Sequence, residues 1–226
     1  MLQTEDININ KIVKSKRKTF KIEIDDNLFI TLRVPLYVTN KEITEFLEKN
    51  ILWIQKAIER ISSKPKFVRK YAEGEIFLFL GENYPLNVRQ NINFHFKFDG
   101  NNFILSEQGF PSAKKYFENF YKAKAKIIIH KRVCDIAIKL GIKFNKLRIT
   151  SALSRWGSCN SIGNVNFSWR LIMAKPTVID YVIIHEFCHL FEFNHSKKFW
   201  ELVKKIMPDY TVHKKWLDEN AKYMIL

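Results

Sequence analysis

A short segment near the C-terminus, His185-Glu186-Phe187-Cys188-His189, places two histidines four residues apart with a glutamate between them. On a helix the two imidazoles share one face and can reach a single metal ion. Glu186 lies about 100° round the helix, close enough to hold a water without binding the metal. In zinc hydrolases such a carboxylate takes a proton from a water whose pKa the metal has lowered. The segment predicts a zinc site with His185 and His189 as ligands and Glu186 as the general base.

Two residues compete for the third ligand position of this site. Glu192 lies seven residues after His185 and stays on the ligand face if the helix continues. His195 lies ten residues after His185 and can bind only if the chain leaves the helix between Phe193 and Asn194. Asparagine tolerates the left-handed conformation that ends helices, so Asn194 favours such a departure. We favour His195, because imidazole suits zinc, and interpret Glu192 as a supporting or surface carboxylate.

The surroundings of the segment predict a buried helix. Pro176-Thr177 provides a start, and apolar residues then form an inner side: Val182, Ile183, Ile184, Phe187 and Phe191. Burying two histidines and a glutamate among these side chains is costly unless a metal satisfies them. The alternative of two ordinary core histidines and a solvent-exposed glutamate is therefore disfavoured.

Several segments together are similar to the signature of one enzyme family. They are Tyr181–His189, Asn194-His195-Ser196, Phe199-Trp200, Arg155–Cys159, Trp169-Arg170-Leu171 and Met207–Tyr210. The combination resembles the YgjP-like metallopeptidase family, which is related to the SprT-like and WLM-type proteases. The resemblance is detailed in the second half of the chain and loose over the N-terminal strands. It implies a zincin-like catalytic domain with zinc on His185, His189 and His195 and with Glu186 as the catalytic base.

Three further residues are candidates for substrate binding. Arg155 and Arg170 can orient a carboxylate or phosphate near the metal, with a salt bridge to a neighbouring carboxylate as the alternative for each. Tyr210 can stabilise an oxyanion, with a purely structural role as its alternative.

The elements that must position the site indicate an α+β protein. Residues 1–110 predict a strand-rich N-terminal domain that contains one helix. Residues 111–226 predict a mainly helical, zincin-like catalytic domain that contains the HExxH helix. A long helix follows Pro111-Ser112 and ends at Gly141. Strand-like runs precede the HExxH helix at residues 146–150 and 164–169.

The composition excludes several classes of protein. Hydrophobic residues make up 46% of the chain, which is too many for a fully disordered protein. No apolar run approaches the roughly 20 residues of a membrane-spanning helix, and the N-terminus has no apolar segment typical of a signal peptide. The three cysteines are widely spaced and form no CxxC, which is typical of reduced thiols. We therefore expect a cytoplasmic protein without a membrane segment.

The positive charge is concentrated in the second half of the chain. The formal net charge is +15, and residues 111–226 hold 21 basic against 9 acidic residues. A field of this sign attracts polyanions, although a solvated lysine surface explains the same charge more simply. We expect weak, nonspecific nucleic-acid binding at low salt.

Three functions compete at this point. The leading hypothesis is a zinc-dependent metallopeptidase with a polypeptide substrate. The first alternative is a metal-dependent hydrolase of nucleotide phosphoanhydrides, such as a nucleoside triphosphate pyrophosphatase, because the same groups can attack phosphorus. The second is a nucleic-acid-associated module with structural zinc. It is weakened because structural zinc sites are closed by four ligands, whereas three ligands and a free glutamate leave one position open.

Overall fold

The chain divides after Lys66 in the computed structural model, which describes residues 3–4, 7–25, 28–62 and 68–226. The first unit comprises residues 1–66 and the second residues 67–226. The sequence instead predicts a division after residue 110. The boundary in the structure lies earlier, because the strands of residues 76–106 share one hydrophobic core with the helices that follow them.

The first unit combines small sheets with one long helix. Its described elements are β1 (Gln3–Thr4), β2 (Ile7–Asn8), β3 (Lys11–Ser15), β4 (Lys21–Ile24), β5 (Ile30–Pro35) and α1 (Asn40–Ser62). Strand β5 lies between the other two strands of its sheet, parallel to β3 and antiparallel to β4. Alternate residues of β5 are buried in a core that they share with one face of α1.

The second unit opens with a four-stranded sheet and a long helix. Its first elements are β6 (Ile76–Phe79), β7 (Glu82–Arg89), β8 (Phe96–Phe98), β9 (Phe103–Ser106) and α2 (Ala113–Leu140). The strands are ordered β6-β7-β9-β8. Helix α2 buries residues spaced four apart, which places them on one face: Phe117, Tyr121, Ala125, Ile129 and Val133. The helix ends at Gly141, as predicted, and this glycine has a left-handed conformation with a φ of 64°.

Three strands and three helices complete the second unit. They are β10 (Lys146–Thr150), β11 (Gly157–Cys159), β12 (Asn164–Ser168), α3 (Pro176–Cys188), α4 (Lys197–Ile206) and α5 (Tyr210–Asn220). Strand β12 is central in its sheet, parallel to β10 and antiparallel to β11. The protein is therefore α+β, and strands accompany the helices after residue 110. Among the described residues, none of the helices is both long enough and apolar enough to cross a membrane.

The first sheet of this unit fixes the start of α3. The backbone N–H groups of Leu80 and Gly81 donate to the carbonyls of Ile172 and Met173, at 2.9 and 3.0 Å. Gly81 has a φ of +83°, and a Cβ built on it would lie 2.8 Å from the Cα of Lys175. This turn therefore requires glycine. Because Lys175 directly precedes α3, the contact positions the helix that carries the HExxH segment.

A salt bridge fixes α3 against α2. The Nε atom of Arg132 lies 2.7 Å from Oδ1 of Asp180, and both side chains are partly buried. The apolar residues of α3 are almost fully buried in the core of this unit. Helix α3 is thus a rigid, central support for the residues at its C-terminal end.

Candidate metal centre

The HExxH segment lies at the C-terminal end of α3, with His189 as the capping residue that follows the helix. The helix begins at Pro176, as predicted, and ends at Cys188. A tight turn follows, in which the N–H groups of Phe191 and Glu192 donate to the carbonyl of Cys188 at 3.1 and 3.0 Å. Phe191 lies beyond this end and is 63% exposed, so its predicted place on the buried side of the helix is wrong.

The chain leaves α3 earlier than the sequence predicts, and Asn194 shapes the segment through its side chain rather than through a left-handed backbone. The expected left-handed turn at Asn194 is wrong, because Asn194 is not among the described residues with positive φ. Its side-chain oxygen instead accepts the N–H of Ser196, at 3.2 Å. The hydroxyl of Ser196 in turn accepts the N–H of Phe199 and caps α4. The segment between α3 and α4 is therefore held by local hydrogen bonds.

This segment brings a third histidine to the end of α3. One ring nitrogen from each of His185, His189 and His195 lies within 4.8 Å of the other two. The Nε2 atoms of His185 and His195 are 3.1 Å apart. Two nitrogens bound to one tetrahedral zinc, each at about 2.0–2.1 Å, lie about 3.3–3.4 Å from one another. His185 and His195 are therefore spaced almost as a shared zinc ion requires, and a nitrogen of His189 lies close enough to join them.

The backbone of Glu192 selects the tautomer of His189. The Nδ1 atom of His189 lies 3.0 Å from the carbonyl oxygen of Glu192. Because a carbonyl oxygen only accepts hydrogen bonds, Nδ1 carries the proton and the lone pair is on Nε2. An imidazole held in this way is oriented for metal binding. Glu192 thus acts through its main chain, and its carboxylate is outside the histidine group.

Aromatic rings orient the other two histidines. The ring of His195 stacks on Trp200 at 5.7 Å and meets Phe199 edge-on at 4.9 Å. The same two residues contact the ring of His185, at 5.7 and 4.9 Å. The Nδ1 atom of His185 is buried without a hydrogen-bond partner among the described residues. At its Nδ1 side the ring of His185 is therefore held in place by packing rather than by a hydrogen bond.

The surroundings of His185 and His195 favour the neutral forms of these two residues. Burial, together with the charges of His189 and His195, lowers the pKa of His185 to about 4. Burial and the charge of His189 also lower the pKa of His195. Neutral imidazole keeps the lone pair that a metal needs. The donor set, its spacing and its protonation therefore fit a zinc ion.

Glu186 points from the same turn into the site and is almost completely buried. It is 6% exposed. Within the described part of the chain, no hydrogen bond neutralises the charge of its carboxylate. Burial raises the pKa of Glu186 to about 7, although the positive charge of Arg155 acts in the opposite direction. A carboxylate with a pKa near neutrality is suited to take up and release a proton.

A glycine makes room for this carboxylate. A Cβ built on Gly157 would lie 2.6 Å from both Cγ and Oε1 of Glu186. Strand β11 therefore approaches α3 closely only because residue 157 lacks a side chain. In the sequence Gly157 belongs to the family-like segment Arg155–Cys159 and has no predicted role of its own. Its function follows from the contact across two elements, which no local pattern predicts.

The histidines and Glu186 line a cleft of about 490 Å³ between α3, α5 and strand β11. Among the predicted substrate-binding residues, Arg155 also lines this cleft. Lys214 and Asp218 of α5 face it as well and form a salt bridge of 3.1 Å. Phe193 contributes a ring that is 68% exposed. The cleft thus combines the metal-binding group with cationic and apolar surfaces.

The other two predicted substrate-binding residues do not line this cleft. The guanidinium of Arg170 lies over the ring of Trp169, with Cζ 4.3 Å from its centroid, and donates to the carbonyl of Ser151. Tyr210 stacks on Trp200 at 5.4 Å and on Tyr181 at 6.4 Å, so its contact with the site passes through these two aromatic rings.

Comparison with known proteins identifies one family. The model described as "YgjP-like, metallopeptidase domain" matches residues 18–220. No curated protein matches the chain.

Two solved structures are similar to part of the chain. The metallopeptidase zymogen abylysin of Pyrococcus abyssi shares 19% identity over 40% of this chain and 93% of its own, with a TM-score of 0.36. The metallopeptidase zymogen jannalysin of Methanocaldococcus jannaschii shares 17% identity over 41% of this chain and 95% of its own, with a TM-score of 0.37.

Proposed function

The chain belongs to the YgjP-like metallopeptidase family and is therefore a peptidase, and we propose that it uses zinc held by His185, His189 and His195 with Glu186 as general base. The observation that carries this proposal is the convergence of three imidazole nitrogens within 4.8 Å, beside a buried carboxylate in the same cleft. A zincin-like arrangement of the second unit is part of the proposal.

Zinc, when bound, supplies a Lewis acid that polarises a carbonyl and makes water more acidic. Glu186 then accepts the proton of the attacking water on its carboxylate and delivers it to the nitrogen of the departing amine. Burial of Glu186 keeps the pKa of its carboxyl group close to neutrality, which suits both the uptake and the release of the proton. The three histidines contribute neutral ligands and leave one position of a tetrahedral site open.

Strand β11 offers a way to bind an extended substrate. Among the described strands it pairs only with β12, so its outer edge has free backbone groups. Gly157, Ser158 and Cys159 of this strand all line the cleft. A peptide that added to the edge of β11 would lie along the cleft beside Glu186.

The alternative functions have less support. Three histidines without a fourth ligand in the described group do not match a closed structural zinc site. The phosphates of a nucleoside triphosphate carry several charges, whereas of the two basic residues that line the cleft Lys214 is paired with Asp218, which leaves Arg155 alone for an anion. We retain a cytoplasmic location as a proposal, which the three unpaired cysteines support.

The test uses the zinc-loaded protein and its Glu186→Gln variant. Both are assayed against an unfolded protein and a panel of nucleoside triphosphates. We expect the wild type to cleave the polypeptide, and the variant to retain zinc but lose activity, because an amide cannot accept the proton. Hydrolysis of a triphosphate without peptide cleavage would favour the phosphoanhydride alternative, and loss of zinc from the variant would make Glu186 a ligand.

A further inference from the structure

A small second cavity adjoins the metal-binding cleft. Its volume is about 210 Å³, and it lies on the polar face of the sheet formed by β10, β12 and β11. Arg155, Gly157 and Ser158 line both the cavity and the cleft. A group bound in the cavity would therefore be continuous with a substrate at the metal centre.

The cavity offers hydrogen-bond donors to a ligand. Within the described part of the chain Arg155 makes no hydrogen bond or salt bridge, and its charge acts on Glu186 through space. The Oγ atom of Ser158 accepts from Nδ2 of Asn166 at 3.1 Å, so its own hydroxyl proton stays available. The second N–H of the Asn166 amide is a further donor.

The remaining hydroxyls of the cavity are occupied as donors. Thr150 donates to the carbonyl of Phe167 at 3.4 Å, and Ser168 donates to the carbonyl of Ala152 at 2.8 Å. They shape the wall of the cavity. The groups free to donate are therefore those of Arg155, Ser158 and Asn166.

No acidic residue lines the cavity, and the carboxylate on which the charge of Arg155 acts, Glu186, lines the adjoining cleft. The sequence contains no aspartate or glutamate from residue 136 to residue 179, a range that includes all three strands of the sheet. A planar guanidinium with free donors in such surroundings binds a carboxylate well, because both can form two parallel hydrogen bonds.

We propose that this cavity, formed by Arg155, Ser158 and Asn166, is a specificity site that binds a carboxylate of the peptide substrate. This inference rests on the proposed function and adds a substrate class to it. The carboxylate comes either from an acidic side chain close to the scissile bond or from the C-terminus of the peptide. Arg155 determines the preference, because it is the charged residue among the three that line both the cavity and the cleft.

The first test measures kcat/KM with matched fluorogenic peptides. One series has amidated C-termini and carries Glu or Gln at each position near the scissile bond. A second series has no acidic side chain and ends in a free carboxylate or an amide. We expect one series to show a preference of about 10–100-fold for the carboxylate, the range of a charge-assisted hydrogen bond.

Variants assign the preference to the cavity. Arg155→Gln should reduce the ratio to near one, and because the ratio compares two peptides within one variant, any change in overall rate from the loss of the Arg155 charge beside Glu186 cancels. Arg148→Gln is the matched control, because Arg148 is an exposed arginine of β10 that does not line the cavity. It should retain the ratio. An equal rate for charged and neutral peptides, or an equal loss of preference in both variants, would overturn the specificity site while leaving the peptidase function intact.

Binding provides a readout that does not depend on turnover. The zinc-loaded Glu186→Gln protein is titrated with the same peptides, and fluorescence anisotropy gives Kd. Tighter binding of the carboxylate peptide, lost on adding Arg155→Gln, would support the site even if no peptide were cleaved. Equal Kd values for carboxylate and amide peptides would refute it whatever the outcome of the activity assay.

Discussion

Replacing Glu186 by glutamine should stabilise the metal-free protein at alkaline pH. The carboxyl group of Glu186 has a pKa of about 7 in the folded protein against a reference value of 4.5, mainly because it is buried. A difference of one in pKa corresponds to about 1.36 kcal/mol, so ionised Glu186 costs the fold about 3 kcal/mol. Glutamine keeps the shape of the side chain and never carries the charge.

The sign of the pH dependence follows from the raised pKa. Below pH 4.5 the carboxyl is protonated in both the folded and the unfolded chain, so it contributes no penalty. The penalty grows as the pH rises from 4.5 to about 7 and is then constant. We therefore expect Glu186→Gln to raise the free energy of unfolding by about 1 kcal/mol at pH 5 and about 3 kcal/mol at pH 8.

Urea denaturation in the presence of a chelator measures this difference. Wild type and Glu186→Gln are unfolded at pH 5 and pH 8, and the change between the two pH values is compared. Glu201→Gln serves as the control, because Glu201 is an exposed carboxylate of α4 and should show little change at either pH. A Glu186→Gln protein that is less stable than wild type at pH 8, or equally affected at both pH values, would refute the reasoning.

Three further predictions concern the ligands, the carboxylate and the surface charge. His195→Ala should weaken zinc binding strongly in a competition assay with a chromogenic chelator. Glu192→Ala should change it little because alanine keeps the carbonyl that holds His189, and the reverse ranking would make Glu192 a ligand. Gly157→Ala should reduce kcat by at least about 10-fold with zinc content unchanged, because the added methyl displaces Glu186; unchanged kinetics would contradict the contact. DNA should bind at low salt and be released near physiological salt, as measured by filter binding, because exposed charges are screened beyond about 10 Å at 0.1 M; binding that persists at high salt would indicate a dedicated nucleic-acid site.

The sequence predicts the metal-binding helix well because the information is local. The spacing of His185 and His189 fixes them on one face of any helix, and Pro176 marks where that helix starts. The structure brings His195 to the same place, as preferred over Glu192. The route differs, since the helix ends at Cys188 and Asn194 acts through its side chain. Asparagine can adopt a left-handed backbone conformation, and its side chain can accept hydrogen bonds. The residue type alone therefore does not predict which of the two occurs at Asn194.

The parts that sequence analysis missed depend on contacts between distant residues. The strands of residues 76–106 belong with the helices because Leu80 and Gly81 bond to the segment before α3, which lies about ninety residues further on. Arg170 is a candidate for substrate binding in the sequence. In the structure its guanidinium instead contacts the ring of Trp169 and the carbonyl of Ser151, outside the cleft. A side chain's type limits what it can bind, whereas tertiary packing decides what it meets.

X-ray absorption at the zinc edge tests the central claim most directly. The measurement is made on protein loaded with one equivalent of zinc, and it reports the type and distance of the atoms around the metal. We predict three nitrogen ligands and one oxygen, all at about 2.0–2.1 Å, from His185, His189, His195 and a water. A sulfur ligand at about 2.3 Å, or fewer than three imidazole nitrogens, would contradict the assignment of the metal centre.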